Sequence, residues 1–265
     1  MGILNSFSQI RTLIQNIDLA ALAKLAKKVD LNQMMAAVSQ MSEQDLAKMM
    51  KMMKATGKDK KELPEVNGDF YELEKLLSEE DRVILGEVRQ FMEREIKPIA
   101  NDCWNKAQFP MHIIPLMAKL NLAGLTIEGY GCAGKSALLE GFVAMEIARV
   151  DASISTFLGV HSGLAMGSIQ LCGSEAQKEY WLPKMQRMDV IGAFGLTEPE
   201  VGSAAAGGLT TTCERVGDHW ILNGQKKFIG NATFSDITII WARNVADNQV
   251  KGFIVRKGNL GFTAE

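Results

Sequence analysis

The sequence is poor in the residues that usually build metal sites, disulfide frameworks and membrane spans. It has three histidines and four cysteines in 265 residues. The cysteines are scattered without a CxxC pair, and the histidines form no HExxH pattern. We therefore expect no metal site, and we interpret the cysteines as free thiols of a reducing compartment. No apolar run approaches the roughly 18 residues that span a bilayer, so no membrane association is expected.

Strong charge and targeting signals are also missing. A formal net charge of −2 gives no reason to expect nucleic acid or an anionic membrane surface as a partner. The N-terminus lacks the pattern of a secretory signal, and the C-terminal residues are not a peroxisomal address. These observations predict a protein of the cytoplasm or of an organelle matrix.

Residues 1–62 differ in composition from the rest of the chain. They hold eight of the fifteen methionines, and Ser42 followed by Asp45 predicts a helix start. We interpret 1–62 as a Met-rich helical extension and charged linker that packs on its own protein or on a partner subunit. The alternative is a methionine face that grips a membrane or a partner helix.

Residues 63–189 carry apolar side chains at helical spacing. Ser78, Asp151 and Ser174 precede such stretches and are predicted to start helices. This part is therefore predicted to be all-helical. His161 lies in one of these helices without a catalytic partner nearby in the sequence, and we interpret it as a hydrogen-bonded helix residue.

Residues 190–265 change to a period of two, which is typical of strands. Gly217–Asp218 and Asn223–Gly224 are predicted turns. The predicted fold class is α+β, with the helical part first and the β part second. Strands are predicted at Val190–Phe194, Leu209–Val216, Trp220–Leu222, Gln225–Ile229, Ile237–Ala242 and Gly252–Val255.

One segment matches the sequence pattern of a nucleotide-binding loop. Gly129–Ser136 matches the P-loop pattern GxxxxGK[ST], in which lysine and backbone amides hold phosphate. The apolar stretch before it is weak as a strand, and helices follow rather than βαβ alternation. We interpret it as a glycine-rich turn between helices, and keep a P-loop nucleotide-binding protein as an alternative function.

The most informative segment is Phe194–Ser203, which follows an apolar strand. Pro199 fixes its own φ and favours an extended Glu198, and Gly202 allows a close approach of backbone to a ligand. Thr197 and Ser203 offer hydroxyl groups on either side of the turn. This combination suits a polar, ring-shaped cofactor with a phosphate tail.

Two motifs in this order resemble one family closely. Leu196-Thr197-Glu198-Pro199-x-x-Gly202-Ser203, followed by the segment Asn223–Asn231, resembles the acyl-CoA dehydrogenase family. The branch it resembles most is that of glutaryl-CoA dehydrogenases and plant-type short-chain acyl-CoA oxidases. The resemblance implies a helical domain (63–189), then a β-barrel- or sandwich-like middle domain (190–265), without the C-terminal helical domain of the family.

The resemblance also implies the site. FAD is the expected cofactor, with Thr197 bonding the pyrimidine edge of the flavin ring. Gly230 stands where many members have Thr or Ser, so a hydroxyl bond to flavin N5 is absent. The predicted substrate-binding residues are Ser155, Thr156 and Ser203. The predicted cofactor-binding residues are Phe194, Gly195, Leu196, Thr197, Gly202, Ser203, Phe228, Ile229 and Gly230.

The implied reaction is α,β-dehydrogenation of an acyl-CoA substrate, with electrons passing to an electron-transferring flavoprotein or to O2. Glutaryl-specific members place an arginine at the position of Ser155, so a short monocarboxylic acyl chain is expected. The catalytic glutamate of the family lies in the C-terminal domain, so no catalytic residue is expected here. We expect the chain to be a fragment, inactive alone, of a homo-oligomer. A non-catalytic interaction module of the same fold is the other alternative.

Overall fold

The structure is a computed structural model that describes residues 42, 44, 45, 48, 69–202 and 207–265. The remaining predictions for 1–62 lie outside the described residues. Ser42 Oγ accepts a hydrogen bond from Asp45 N at 3.2 Å, as expected for the helix start predicted there. No described helix combines the length and apolar character needed to cross a bilayer.

Helices fill the first part of the described chain, as predicted. Two π-helical segments, Met92–Ile96 and Gly159–Met166, continue the helices before them, and two short 3-10 turns lie at Leu73–Leu76 and Met111–Ile113. The α-helices are α1 (Glu79–Phe91), α2 (Ala100–Asn105), α3 (Ile114–Ala118), α4 (Ala137–Val150), α5 (Ala152–Leu158), α6 (Gly167–Cys172) and α7 (Glu175–Gln186).

Side-chain caps start these helices where the sequence predicts them. Ser78 Oγ accepts from the backbone N–H of the third residue of α1 at 3.1 Å. Asp151 Oδ1 accepts from Ser153 N at 2.7 Å at the start of α5. Ser174 and Gln177 form a capping box on α7. Each cap satisfies N–H groups that the first turn leaves without helical partners.

The helical core joins the sheet through an aromatic cluster. The rings of Phe109 and Phe157 are 4.8 Å apart between centroids, and Phe109 stacks on Phe234 at 5.1 Å. Phe157 is buried on α5, whereas Phe234 belongs to the turn before the fourth strand. The largest fully buried side chains are Phe157, Met92, Ile96, Ile113, Met117, Leu139, Ile147, Ile154, Met166, Leu182, Met185 and Ile237.

The second part of the described chain forms one mixed sheet with the strands β1 (Gly192–Gly195), β2 (Thr212–Val216), β3 (His219–Asn223), β4 (Ile237–Asn244) and β5 (Val250–Arg256). β4 lies at its centre. β1 pairs in parallel with the first half of β4, β2 pairs in parallel with its far end, and β5 runs antiparallel along it. Because β5 occupies one edge of β4, β1 and β2 share the other edge.

The prediction of a strand at Gln225–Ile229 is wrong, because this segment is a loop. Lys227 N donates to Thr197 O at 2.9 Å instead of joining a strand ladder. Phe228 has a φ of +60°, a left-handed conformation that interrupts any strand. A period-two pattern cannot reveal this, because the loop is held by contacts with residues about 30 positions away.

Candidate functional site

The end of β1 is held tightly against β4. Gly195 pairs with Ile240, and a Cβ at Gly195 would lie 2.6 Å from Ile240 Cδ1. Glycine therefore suits this position because a larger side chain has no room. The half-buried Phe194 ring meets the Trp241 ring at 6.1 Å and an angle of 61°. The chain thus leaves the sheet at a fixed point just before Leu196.

Glu198 closes the loop between β1 and β2. Its buried carboxylate accepts from Thr210 N (2.6 Å), Thr210 Oγ1 (2.6 Å), Thr211 N (2.9 Å) and Lys226 Nζ (2.8 Å). Burial alone would raise the pKa of this carboxyl, but the hydrogen bonds from Lys226 and both threonines outweigh it and hold the pKa below its ordinary 4.5. Glu198 is thus ionised at neutral pH, and its carboxylate holds Thr210, Thr211 and Lys226 together as a clamp.

The loop between β3 and β4 runs beside the exit from β1. Lys226 Nζ donates to Leu196 O at 2.9 Å, and Lys227 N donates to Thr197 O at 2.9 Å. The next side chain, Phe228, is 85% exposed. Three of the predicted cofactor-binding residues, Leu196, Thr197 and Phe228, are thereby brought to one place on the surface.

Thr197 keeps two hydrogen-bond donors without partners in the described part of the chain. Neither its backbone N–H nor its hydroxyl bonds to any residue of 69–202 or 207–265. The residue is partly exposed, so a ligand can approach it from the surface. A carbonyl or ring nitrogen is the type of group that accepts from such donors.

Gly230 and Asn231 tie this loop to the helical part of the molecule. A Cβ at Gly230 would lie 3.0 Å from Val160 Cγ2, so Val160 occupies the space that a larger side chain needs. Asn231 Nδ2 donates to Phe157 O at 3.1 Å and to Gly192 O at 3.2 Å. Its φ of +66° is one that asparagine adopts more readily than most residues.

His161 anchors the other end of β1. Its Nδ1 accepts from Gly192 N at 3.0 Å, which places the ring proton on Nε2, and Nε2 donates to Met185 O at 2.9 Å. Burial lowers the pKa of His161 to about 4, against the opposing effects of the Met185 carbonyl and of Asp236. The imidazole is therefore neutral at physiological pH, and the predicted structural role is confirmed.

The predicted substrate residues on α5 already use their hydroxyl groups. Ser155 Oγ donates to Ala144 O on α4 at 3.3 Å, and Thr156 Oγ1 donates to Ala152 O at 2.9 Å. Thr156 is exposed, whereas Ser155 is half-buried against α4. Their assignment to substrate stays a prediction.

The structure describes two of the three remaining predicted residues. Gly202 is exposed and Ile229 is half-buried. Ser203 lies outside the described residues. Lys226 and Asn231 are not among the predicted site residues, although both belong to the motif 223–231. Their charged and amide side chains are the sequence signal that could indicate a role there.

The glycine-rich segment Gly129–Ser136 is a turn and not a phosphate-binding loop. Lys135 Nζ is 2.6 Å from Glu80 Oε1 and 3.7 Å from Asp81 Oδ1, so two carboxylates already surround its charge. Ser136 Oγ accepts from Leu139 N at 3.2 Å as the cap of α4. No strand precedes the turn in the described chain, and the P-loop alternative therefore loses its structural support.

The order of the elements, helices followed by a mixed sheet that carries this site, defines the class of protein. Residues 78–189 match the family model "Acyl-CoA dehydrogenase, N-terminal domain", and residues 193–265 match "Acyl-CoA dehydrogenase, middle domain". The chain belongs to the acyl-CoA dehydrogenase family.

Individual relatives agree with this assignment. An acyl-CoA dehydrogenase of Bacillus subtilis is 37% identical over 180 residues, which cover 66% of this chain and 47% of that protein. The structure of a Mycobacterium smegmatis glutaryl-CoA dehydrogenase in complex with FADH2 superposes with a TM-score of 0.70 and 38% identity, covering 74% of this chain and 50% of the other. The structure of butyryl-CoA dehydrogenase from Megasphaera elsdenii superposes with a TM-score of 0.66 and 30% identity, covering 71% of this chain and 51% of the other. The chain spans about half the length of these relatives.

Proposed function

We propose that this chain carries the flavin-binding part of an enzyme that oxidises short-chain acyl-CoA to trans-2-enoyl-CoA. One observation carries the proposal: Thr197, whose N–H and hydroxyl have no partner among the described residues, lies beside the loop that presents the exposed Phe228. Polar donors beside an aromatic face suit a flat ring with carbonyl groups at one edge. The names of the matched relatives, which include an FADH2 complex, support the same chemistry.

The residues present fit FAD. Thr197 would bond the pyrimidine edge of the ring, while Phe194 and Leu196 on one segment and Phe228–Gly230 on the other would bracket it. Gly202 and Ser203 would lie toward the pyrophosphate or the acyl-CoA. When bound, FAD supplies an acceptor for the hydride from the β carbon of the acyl chain. The protein residues orient the ring and cover its surface.

Glu198 is excluded as the base that removes the α proton. Its carboxylate accepts four hydrogen bonds and is buried, and its depressed pKa opposes proton uptake. The family resemblance assigns the base to a glutamate of a C-terminal helical domain. We assign no catalytic role to a described residue.

The proposed substrate is a monocarboxylic acyl-CoA. Ser155 stands where glutaryl-specific relatives carry an arginine, and its hydroxyl donates a hydrogen bond to the Ala144 carbonyl oxygen. A distal carboxylate at that position would lack the cationic partner that offsets its desolvation. The electron acceptor is proposed to be an electron-transferring flavoprotein or O2, and the complete enzyme a homo-oligomer.

Reconstitution with FAD tests this function. The chain is titrated with FAD and followed by flavin fluorescence and visible absorbance. Thr197→Val is expected to weaken binding by about five- to tenfold, the value of one hydrogen bond, whereas Thr212→Val on β2 serves as the matched control with no effect. A wild-type chain that leaves FAD spectra unchanged at high protein concentration would contradict the proposed function.

The reaction is tested with the protein made from the longest reading frame of the gene, loaded with FAD. Butyryl-CoA added without oxygen is expected to bleach the flavin bands, and glutaryl-CoA is expected to bleach them more slowly. Readmission of air then separates an oxidase, whose bands return rapidly, from a dehydrogenase, whose bands stay bleached until an electron-transferring flavoprotein is added. Faster bleaching by glutaryl-CoA would contradict the substrate proposal.

A further inference from the structure

Lys226 is a buried cation with two specific contacts. Its side chain is 8% exposed, and its ammonium group donates to Leu196 O at 2.9 Å and to Glu198 Oε1 at 2.8 Å. A surface lysine that only neutralises a carboxylate would not need the carbonyl contact. Burial of the ammonium lowers the pKa of Lys226, and the hydrogen bond and charge of the Glu198 carboxylate oppose this change.

The carbonyl that Lys226 contacts belongs to the peptide whose N–H is that of Thr197. A cation at the carbonyl oxygen draws electron density through the amide, because the carbonyl and the N–H share one resonance system. The N–H of Thr197 therefore carries more positive charge than an ordinary peptide N–H. Hydrogen bonds that involve a charged group are roughly twice as strong as neutral ones, so the polarisation is substantial.

The backbone around this peptide is fixed on both sides. Lys227 N donates to Thr197 O at 2.9 Å, and Gly195 is locked against Ile240 on β4. The polarised N–H is consequently held in one orientation. Neither it nor the Thr197 hydroxyl has a partner among the described residues.

We propose that Lys226 is a positioning residue that polarises the Leu196–Thr197 peptide, so that the Thr197 N–H binds and stabilises an electron-rich carbonyl at the edge of the cofactor ring. The inference rests on the proposed flavin site and deepens it. Because a reduced ring carries more negative charge at that edge, the polarised donor favours the reduced state over the oxidised state.

The amide proton of Thr197 reports this polarisation without any cofactor. In nitrogen-15 NMR spectra of the whole chain, the Thr197 amide proton is expected to move upfield in Lys226→Met. Because that variant leaves Glu198 buried without its cation, the double variant Lys226→Met with Glu198→Gln, which removes both charges, is the variant to compare, and its fold is checked by the amide shifts of residues far from the site. Lys226→Arg keeps a cation and is expected to restore the shift in part. Lys251→Met, which removes a lysine paired with Asp247 at the surface, is the matched control.

Cofactor measurements give the second readout. The affinity for oxidised FAD is expected to fall about tenfold in the double variant, which corresponds to about 1.4 kcal/mol. The affinity for reduced FAD is expected to fall about tenfold further, which lowers the two-electron reduction potential by about 30 mV. The potential is measured by dye-coupled reduction, and Lys251→Met is expected to keep the wild-type value.

The outcomes separate this inference from the proposed function. A Thr197 amide proton that keeps its wild-type shift in the double variant overturns the role of Lys226 and leaves it as a counterion of Glu198. An equal loss of affinity for oxidised and reduced FAD also overturns the role of Lys226, because a structural defect of the site would weaken the binding of both redox states alike. If the wild-type chain binds no FAD, the proposed function fails while the NMR shift still decides whether Lys226 polarises the peptide.

Discussion

His161 couples the stability of the molecule to pH in a direction that can be worked out from its surroundings. The pKa of the buried imidazole is lowered from 6.5 to about 4, so the unfolded state binds a proton between these values while the folded state does not. The stabilisation is therefore complete above pH 6.5 and declines as the pH falls toward 4. A difference of this size corresponds to roughly 3 kcal/mol of unfolding free energy.

Comparison with His161→Gln isolates this contribution. Glutamine stays neutral and offers one donor and one acceptor, so it can keep hydrogen bonds to Met185 O and Gly192 N. Urea unfolding of both proteins is followed by tryptophan fluorescence from pH 7 to pH 4. The stability advantage of the wild type over the variant is expected to shrink by about 3 kcal/mol across this range.

Other groups that titrate in the same range are common to both proteins and cancel in the comparison. His219→Gln, which changes an exposed histidine on β3, is the control for replacing a histidine elsewhere. Wild-type and His161→Gln curves that stay parallel from pH 7 to pH 4 would refute the reasoning, because they would show that His161 takes up its proton equally in the folded and unfolded states.

The remaining predictions concern the clamp and the loop of the site. Glu198→Gln leaves the Lys226 ammonium buried without its carboxylate and is expected to cost about 3–5 kcal/mol in urea unfolding; a cost below about 1 kcal/mol would show that the pair behaves as a surface pair. Gly230→Thr is expected to cost about 1–3 kcal/mol because its Cβ meets Val160, and adding Val160→Ala should recover much of this in thermal unfolding. Asn231→Gly keeps the positive φ and loses the two side-chain hydrogen bonds, so a loss of about 1–3 kcal/mol is expected, and no loss in calorimetry would contradict the anchoring role.

Local signals in the sequence predicted the helices well. Ser78, Asp151 and Ser174 cap helices where the sequence places their starts, because a cap acts within three residues of the chain. The order of helices followed by strands is confirmed for the same reason, since a change of period from 3.6 to two is readable along the chain.

The loop of the site could not be predicted in the same way. The sequence predicts a strand at Gln225–Ile229, but the conformation of this segment depends on the bonds of Lys226 and Lys227 to Leu196 and Thr197. Such bonds join residues far apart in the sequence, and no local pattern encodes them. The two motifs predict the residues of the site, and the structure shows how a lysine and an asparagine within one motif bind the neighbouring segments.

The double anchoring of Gly192 limits how the molecule can move. Its N–H is held by His161 and its carbonyl oxygen by Asn231, whose amide also binds Phe157 O on α5. His161 and Asn231 thus join the helices to the sheet at the start of β1, and separating the two layers here requires the loss of two hydrogen bonds, Gly192 N to His161 Nδ1 and Asn231 Nδ2 to Phe157 O. A ligand at the proposed site is therefore expected to enter by rotation of exposed side chains such as Phe228 rather than by separation of the two layers.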